Sequence, residues 1–352
     1  MVVENAADFN REIKIMKNII VLVILLLLII IPGCADSSST NEENAIETIL
    51  LDLIDNDDVF GIDGFDSDGA MDLEYEVGLE TDGSGRIFSD TLNHGQGYRV
   101  RFGKNILDRQ RSVEFETGED TAIGLVSHQI SGEFIANVID TSQVQVDSLS
   151  FTKDYSTLLT RKIRFIKVED DSNPDGYRWK IDALTPMIGG AGDKVSISRL
   201  SLYIMGDSLQ AGELLYFFNA NELGDLFIDR ESLPSFTAFT RVVAHATVEN
   251  TGPEYTNDST GVGDWVFFNY GKNRQHRGRV HLRDSGGLLD ETMNDNIHSG
   301  SIRIHGPGLG QLRRAFRSFT ESIDLATMFV SDGGYNTSCL LYTSDAADDH
   351  HR

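Results

Sequence analysis

The chain has 352 residues, 55 acidic against 30 basic, and a formal net charge of −25 at pH 7. Such a charge repels nucleic acid and anionic lipid headgroups, so neither is an expected partner of the folded body. The length suits about two domains. Abundant glycine, scarce proline and recurrent apolar–polar alternation point to short strands and turns rather than a helical bundle.

Lys14 and Lys17 precede an uncharged apolar run, Ile19 to Ile31, which ends in Ile31-Pro32-Gly33-Cys34. A spanning helix needs roughly 20 apolar residues, whereas a secretory apolar core needs only about 7–15. The run fits the second case. Its end resembles the bacterial lipobox, with an aliphatic residue at the third position before a cysteine. The resemblance implies that residues 1–33 are a signal peptide whose true start is Met16. It also implies that Cys34 carries the lipid and that residues 34–44 are a tether. Stable anchoring takes two acyl chains, each buried methylene contributing about 0.8 kcal/mol. Ala35 follows the cysteine, and Asp36 comes one place later. On that basis the resemblance implies the outer membrane, periplasmic face or surface, rather than the inner membrane. The expected partners are the membrane, through the lipid, and an envelope protein or glycan.

Thr40 and Glu43 have the spacing of a capping box, and Ile46, Ile49, Leu50, Leu53 and Ile54 follow helical periodicity. A helix is expected from about Asn41 to Asp55. An acidic, glycine-punctuated loop follows. Its Asp63, Asp66 and Asp68 are of the oxygen-ligand type that calcium takes, although the EF-hand spacing is absent and solvated turns use aspartate more often. Calcium is the only cofactor considered. Strands are expected at 71–79, 112–117, 121–128, 132–138, 159–168 and 177–184. Pro174-Asp175-Gly176 joins the last two as a hairpin.

One helix, a loop and an antiparallel run ending in Trp179-Lys180-Ile181-Asp182-Ala183-Leu184-Thr185-Pro186 are similar to nuclear-transport-factor-2-like domains. The resemblance implies an α+β domain over 45–190, a curved antiparallel sheet wrapped around helices. None of the catalytic residues of the enzymes in that superfamily matches a position here, so no catalytic role carries over. Gly189-Gly190-Ala191-Gly192 reads as an inter-domain linker. Beyond it, strands at 195–204, 214–219, 239–248, 265–270, 277–282, 301–304 and 326–330 predict an immunoglobulin-like, all-β sandwich over 194–338.

The candidate binding residues lie in a locally basic stretch: Arg274, His276, Arg277, Arg279, His281 and Arg283. In so acidic a chain, such a stretch suits an anionic sugar, a phosphate or an acidic partner. A charged strand edge that blocks edge-to-edge pairing accounts for it more simply, because interleaved apolar residues are few and the spacing fits a strand edge. His94, His128, His245 and His298 stand alone, and no zinc spacing, serine elbow or cysteine nucleophile is present. Residues 339–352, beginning Cys339-Leu340-Leu341-Tyr342-Thr343-Ser344-Asp345, resemble translated sequencing adapter. That resemblance implies a truncated second domain and leaves Cys34 as the chain's own cysteine. The expectation is an envelope lipoprotein that binds or scaffolds, with a pocketed carrier or enzyme and a structural module of an envelope assembly as alternatives.

Overall fold

The computed structural model describes residues 37–56, 75–78, 98–140, 148–229, 233–252, 255–257, 260–271, 277–287, 289–304, 313–329 and 334–347. The chain divides into two compact units, 1–48 and 49–352. Helix α1 (Ser37–Asp55) starts in the first and ends in the second. It begins a turn earlier than expected, so Thr40 and Glu43 lie inside it rather than at its cap. Within the second unit's share of the helix, Leu50 is fully buried and Ile49 is exposed.

The second unit holds every described strand. Three long strands dominate its first half: β2 (Tyr98–Thr117), β3 (Thr121–Asp140) and β4 (Ser148–Glu169). The two short strands expected at 121–128 and 132–138 are one continuous β3. Gly132 permits this. It lies opposite a bulge between Ile106 and Asp108, where a Cβ on it would stand 2.0 Å from the Asn105 carbonyl oxygen. The short β1 (Tyr75–Gly78) pairs with β2. Strand β5 (Tyr177–Leu184) folds back on the far end of β4 through the anticipated turn, with Gly176 at φ +74.

The glycine run at 189–192 is not a linker. Met187–Ala191 is strand β6, hydrogen-bonded to β4 on one side and to β18 (Thr337–Ala347) on the other. A Cβ on Gly189 would lie 1.9 Å from the Leu158 carbonyl oxygen, and one on Gly190 would lie 2.0 Å from that of Thr337. Glycine is required by two backbones that close in from both sides. The sheet therefore continues across the expected domain boundary at 190–194. Its order is β1-β2-β3-β4-β6-β18-β17-β14-β15, with β14 at Asp264–Gly271, β15 at Arg277–Leu282 and β17 at Arg313–Asp324. A second sheet has the order β16-β11-β7-β8, with β7 at Val195–Met205, β8 at Ala211–Asn219, β11 at Arg241–Asn250 and β16 at Ile297–Arg303.

The larger sheet curls on itself. Phe102 of β2 lies 5.6 Å from Phe267 and 6.3 Å from Trp265, both on β14, although five strands separate β2 from β14 in the sheet. Phe134, Tyr155, Leu159, Met187, Ile323 and Leu341 complete this first core. Burying each such side chain stabilises by about 1.5–3 kcal/mol.

This overturns the α+β, nuclear-transport-factor-2-like expectation. Among the described residues the protein is nearly all-β, 66% strand and 10% helix, with three helices, two of them single turns: α2 (Ala220–Leu223) and α3 (Leu325–Phe329). Among the described residues, the concave face is filled by rings from the sheet's own distant strands, where that superfamily packs helices. The separate sandwich is corrected with it. Two sheets do face each other across a second core, in which Leu200, Leu202, Val242 and Ala244 meet Val266, Phe268, Tyr270 and Leu340. One of those two sheets, however, is the curled sheet itself.

Strands β14 and β18 are consequently buried on both faces, which is why Trp265-Val266-Phe267-Phe268 carries no polar alternation. Odd positions of β14 enter the first core and even ones the second. Of the residues resembling adapter sequence, 339–347 lie in β18, where Cys339 and Leu341 face the first core and Leu340 and Tyr342 the second. The segment expected as a strand at 326–330 begins as α3, and β17 was not anticipated. No described helix is long and apolar enough to cross a membrane.

Candidate functional site

Four of the residues nominated from sequence are described: Arg277, Arg279, His281 and Arg283. Cys34, Asp63, Asp66, Asp68, Arg274 and His276 lie outside the described residues. Arg277 and Arg279 lie on β15, at the end of the curled sheet's strand order, opposite Gly271 and Asn269 of β14. His281 is half-buried. Its imidazole stacks on Phe267 at 5.1 Å and meets Trp265 edge-on at 5.6 Å, against the first core. Arg283 is exposed, and its backbone bridges to Ser299 of β16.

Two other arrangements carry more chemistry. The first is inside the curled sheet. Lys104 of β2 forms an ion pair with Glu321 of β17, and the ammonium lies 6.0 Å from the Tyr155 ring centroid and 5.6 Å from that of Tyr335. The two rings are 5.1 Å apart, and Phe134 closes on Tyr335 at 5.3 Å. The Lys153 ammonium, also buried, donates to the Ala326 carbonyl at 3.2 Å.

Burial alone would lower the Lys104 pKa, but the Glu321 carboxylate reverses this and raises it well above the ordinary lysine value. The ammonium is therefore held charged and is no nucleophile. Burial raises the Tyr155 phenol, partly offset by Lys104. The Tyr155 hydroxyl, the Thr157 hydroxyl and the Asn269 side-chain oxygen are buried with no hydrogen-bond partner among the described residues. Such orphaned groups are uncommon in native interiors and are ordinarily met by water or a ligand.

The second is the turn between β15 and β16. One oxygen each of Asp284, Asp290 and Asp295 lies within 4.8 Å of the others. Asp284 accepts the backbone N–H of Asn294 at 2.6 Å and of Asn296 at 2.8 Å. Asp290 accepts those of Ser285 at 2.6 Å and Gly286 at 2.8 Å, and Asp295 accepts that of Ile297 at 3.0 Å. Asn294, Asn296 and Gly286 all have positive φ. Burial pushes the Asp284 carboxyl above its usual range, against the pull of those N–H donors. The carboxylates are accounted for by capping a turn that would otherwise leave backbone donors unmet. The run Asp284-Ser285-Gly286-Gly287 and the later Asn294-Asp295-Asn296 announce such a turn in sequence. Nothing in the sequence announces the Lys104–Glu321 pair, whose members lie at opposite ends of the chain.

No family model, curated protein or solved structure matches this chain.

Proposed function

We propose that the chain is a lipid-anchored envelope protein whose β-rich body binds or scaffolds at the membrane surface without catalysis. The observation that carries this reading is the lysine-flanked apolar run ending in Ile31-Pro32-Gly33-Cys34. An apolar core of that length is exported rather than left to span, and the cysteine stands where lipid attachment requires it. The acidic composition fits a body held in solution beside a membrane by its tether, not by adhesion to anionic headgroups. Metabolic labelling with a fatty acid, comparing wild type with Cys34→Ser, tests the anchor. Labelling of the wild type alone supports it, and equal labelling of both refutes it.

A second reading has one observation in its favour, the unmet Tyr155, Thr157 and Asn269 groups within the curled sheet. On this reading the body carries a small neutral molecule, its ring or chain stacked on tyrosine and its hydroxyls met by these groups. Equilibrium dialysis against a panel of neutral sugars, with Tyr155→Phe as control, tests it. No retained compound, or equal retention by the variant, removes this reading and leaves the anchored scaffold untouched.

A further inference from the structure

The two sheets meet through a buried polar cluster that neither reading uses. His298 of β16 places Nε2 3.2 Å from Asp264 Oδ2 of β14, the side chains being 7% and 5% exposed. The same carboxylate oxygen accepts the Ser322 hydroxyl at 3.0 Å. The cross-strand partner of Asp264 on β17 is Asp324. Side chains of directly opposed residues share one face, so two carboxyls are buried side by side. Asp324 Oδ1 lies 3.4 Å from Asn250 Nδ2 of β11, and Asp324 Oδ2 has no hydrogen-bond partner among the described residues.

The charged groups that face this cluster are few. Lys194, Lys153 and Asp264 act on Asp324. Asp264 and Asp284 act on His298, which also shares a backbone hydrogen bond with Leu282. Asp290 and His298 act on Asp284. Burial drives the Asp324 carboxyl up, against Asn250 and Lys194, and Asp264 adds to the rise. Burial opposes charge on His298, but the hydrogen bond and charge of Asp264, with Asp284 behind them, raise its pKa.

The sign is the same at each group. A folded-state pKa above the unfolded one means that the folded state holds more protons, so stability falls as pH rises. For His298 the contribution is complete below about pH 6.5 and is lost as pH climbs through the raised value. For Asp324 and Asp284 the loss begins above about pH 4. His245 opposes them. Burial lowers its pKa, with Asp290, Glu291 and Asp295 pulling the other way, so its contribution is lost as pH falls below about 6.5.

We propose that Asp264, Asp324 and His298 form an acid-closed clasp that fastens β16 and the 284–296 turn to β14 and β17 and loosens as pH rises. The clasp needs no ligand, and none of its residues lies beyond Ser338.

The test is amide hydrogen exchange and urea unfolding of the full chain at about pH 5 and about pH 8. After correction for intrinsic exchange rates, protection in β16 and the 284–296 turn should fall about tenfold at the higher pH, with little change in β2 and β3. A uniform change across all strands would instead report general charge repulsion and overturn the proposal. Asp324→Asn keeps the shape and removes the charge, so its urea midpoint should exceed that of wild type at the higher pH, with the gap narrowing in acid. Parallel profiles would overturn it. NMR titration of His298 in the wild-type chain supplies a check free of any packing change: its imidazole must titrate above the ordinary histidine value, and titration at or below that value ends the clasp.

Discussion

Lys104 and Glu321 offer the sharpest test of the curled sheet, because they join β2 to β17 across its interior. The Glu321 side chain is 8% exposed and that of Lys104 is 26% exposed. Removing one member of a fully buried pair costs about 3–5 kcal/mol, since the other is left uncompensated, whereas replacing both with apolar residues is often neutral. Partial exposure of Lys104 places Lys104→Met and Glu321→Leu near the lower end, at about 2–3 kcal/mol each. The double variant should return to within about 1 kcal/mol of wild type, a coupling of about 3 kcal/mol or more. Urea unfolding followed by tryptophan emission is a suitable assay, because Trp265 is buried in the same core. A coupling below about 0.5 kcal/mol, the range of an exposed pair, would refute the idea that β17 closes over β2.

Gly132→Ala brings a Cβ to 2.0 Å from a backbone oxygen and should cost about 1–3 kcal/mol or more by thermal melt. Gly176→Ala, at φ +74 in open space, should cost only about 1–2 kcal/mol; equal losses would refute the bulge as the source of the difference. Asp284→Ala removes the acceptor of two backbone N–H groups and should destabilise by about 1–3 kcal/mol, with faster proteolytic nicking between 284 and 296; an unchanged cleavage rate would count against the turn's dependence on that carboxylate. If residues 339–352 are adapter-derived, the uninterrupted gene should diverge after Ser338 yet still encode apolar residues at both odd and even positions of the next few, because this strand lies between two cores. A continuous gene with the same codons would refute the adapter reading.

Local signals were legible and pairings were not. Pro174-Asp175-Gly176 marked the β4–β5 hairpin because the turn chemistry lies within three adjacent residues. Strand β17 escaped notice because Ser318, Thr320, Ser322 and Asp324 are polar yet wholly buried, so its sequence shows no apolar face. His298 looked solitary because its partner, Asp264, comes from another sheet. The basic stretch read as one patch, but His281 turns inward onto Phe267, a contact that only the folded register creates. The acidic turn is written plainly in its Asp, Gly and Asn residues, but its composition alone does not set it apart from the earlier acidic loop.

The first core unites Phe102 and Phe134 with Ile323 and Tyr335. Nothing short of nearly the whole chain can close it, and contacts so distant in sequence form slowly. During synthesis the long β2–β3–β4 meander must wait, with one apolar face uncovered, for strands made last. That delay is hazardous in a crowded cytosol but fits the proposed export, in which a polypeptide is threaded through a narrow channel before it folds. The curl of the sheet would then act as a timer, keeping the chain pliable until its carboxyl-terminal strands arrive on the far side.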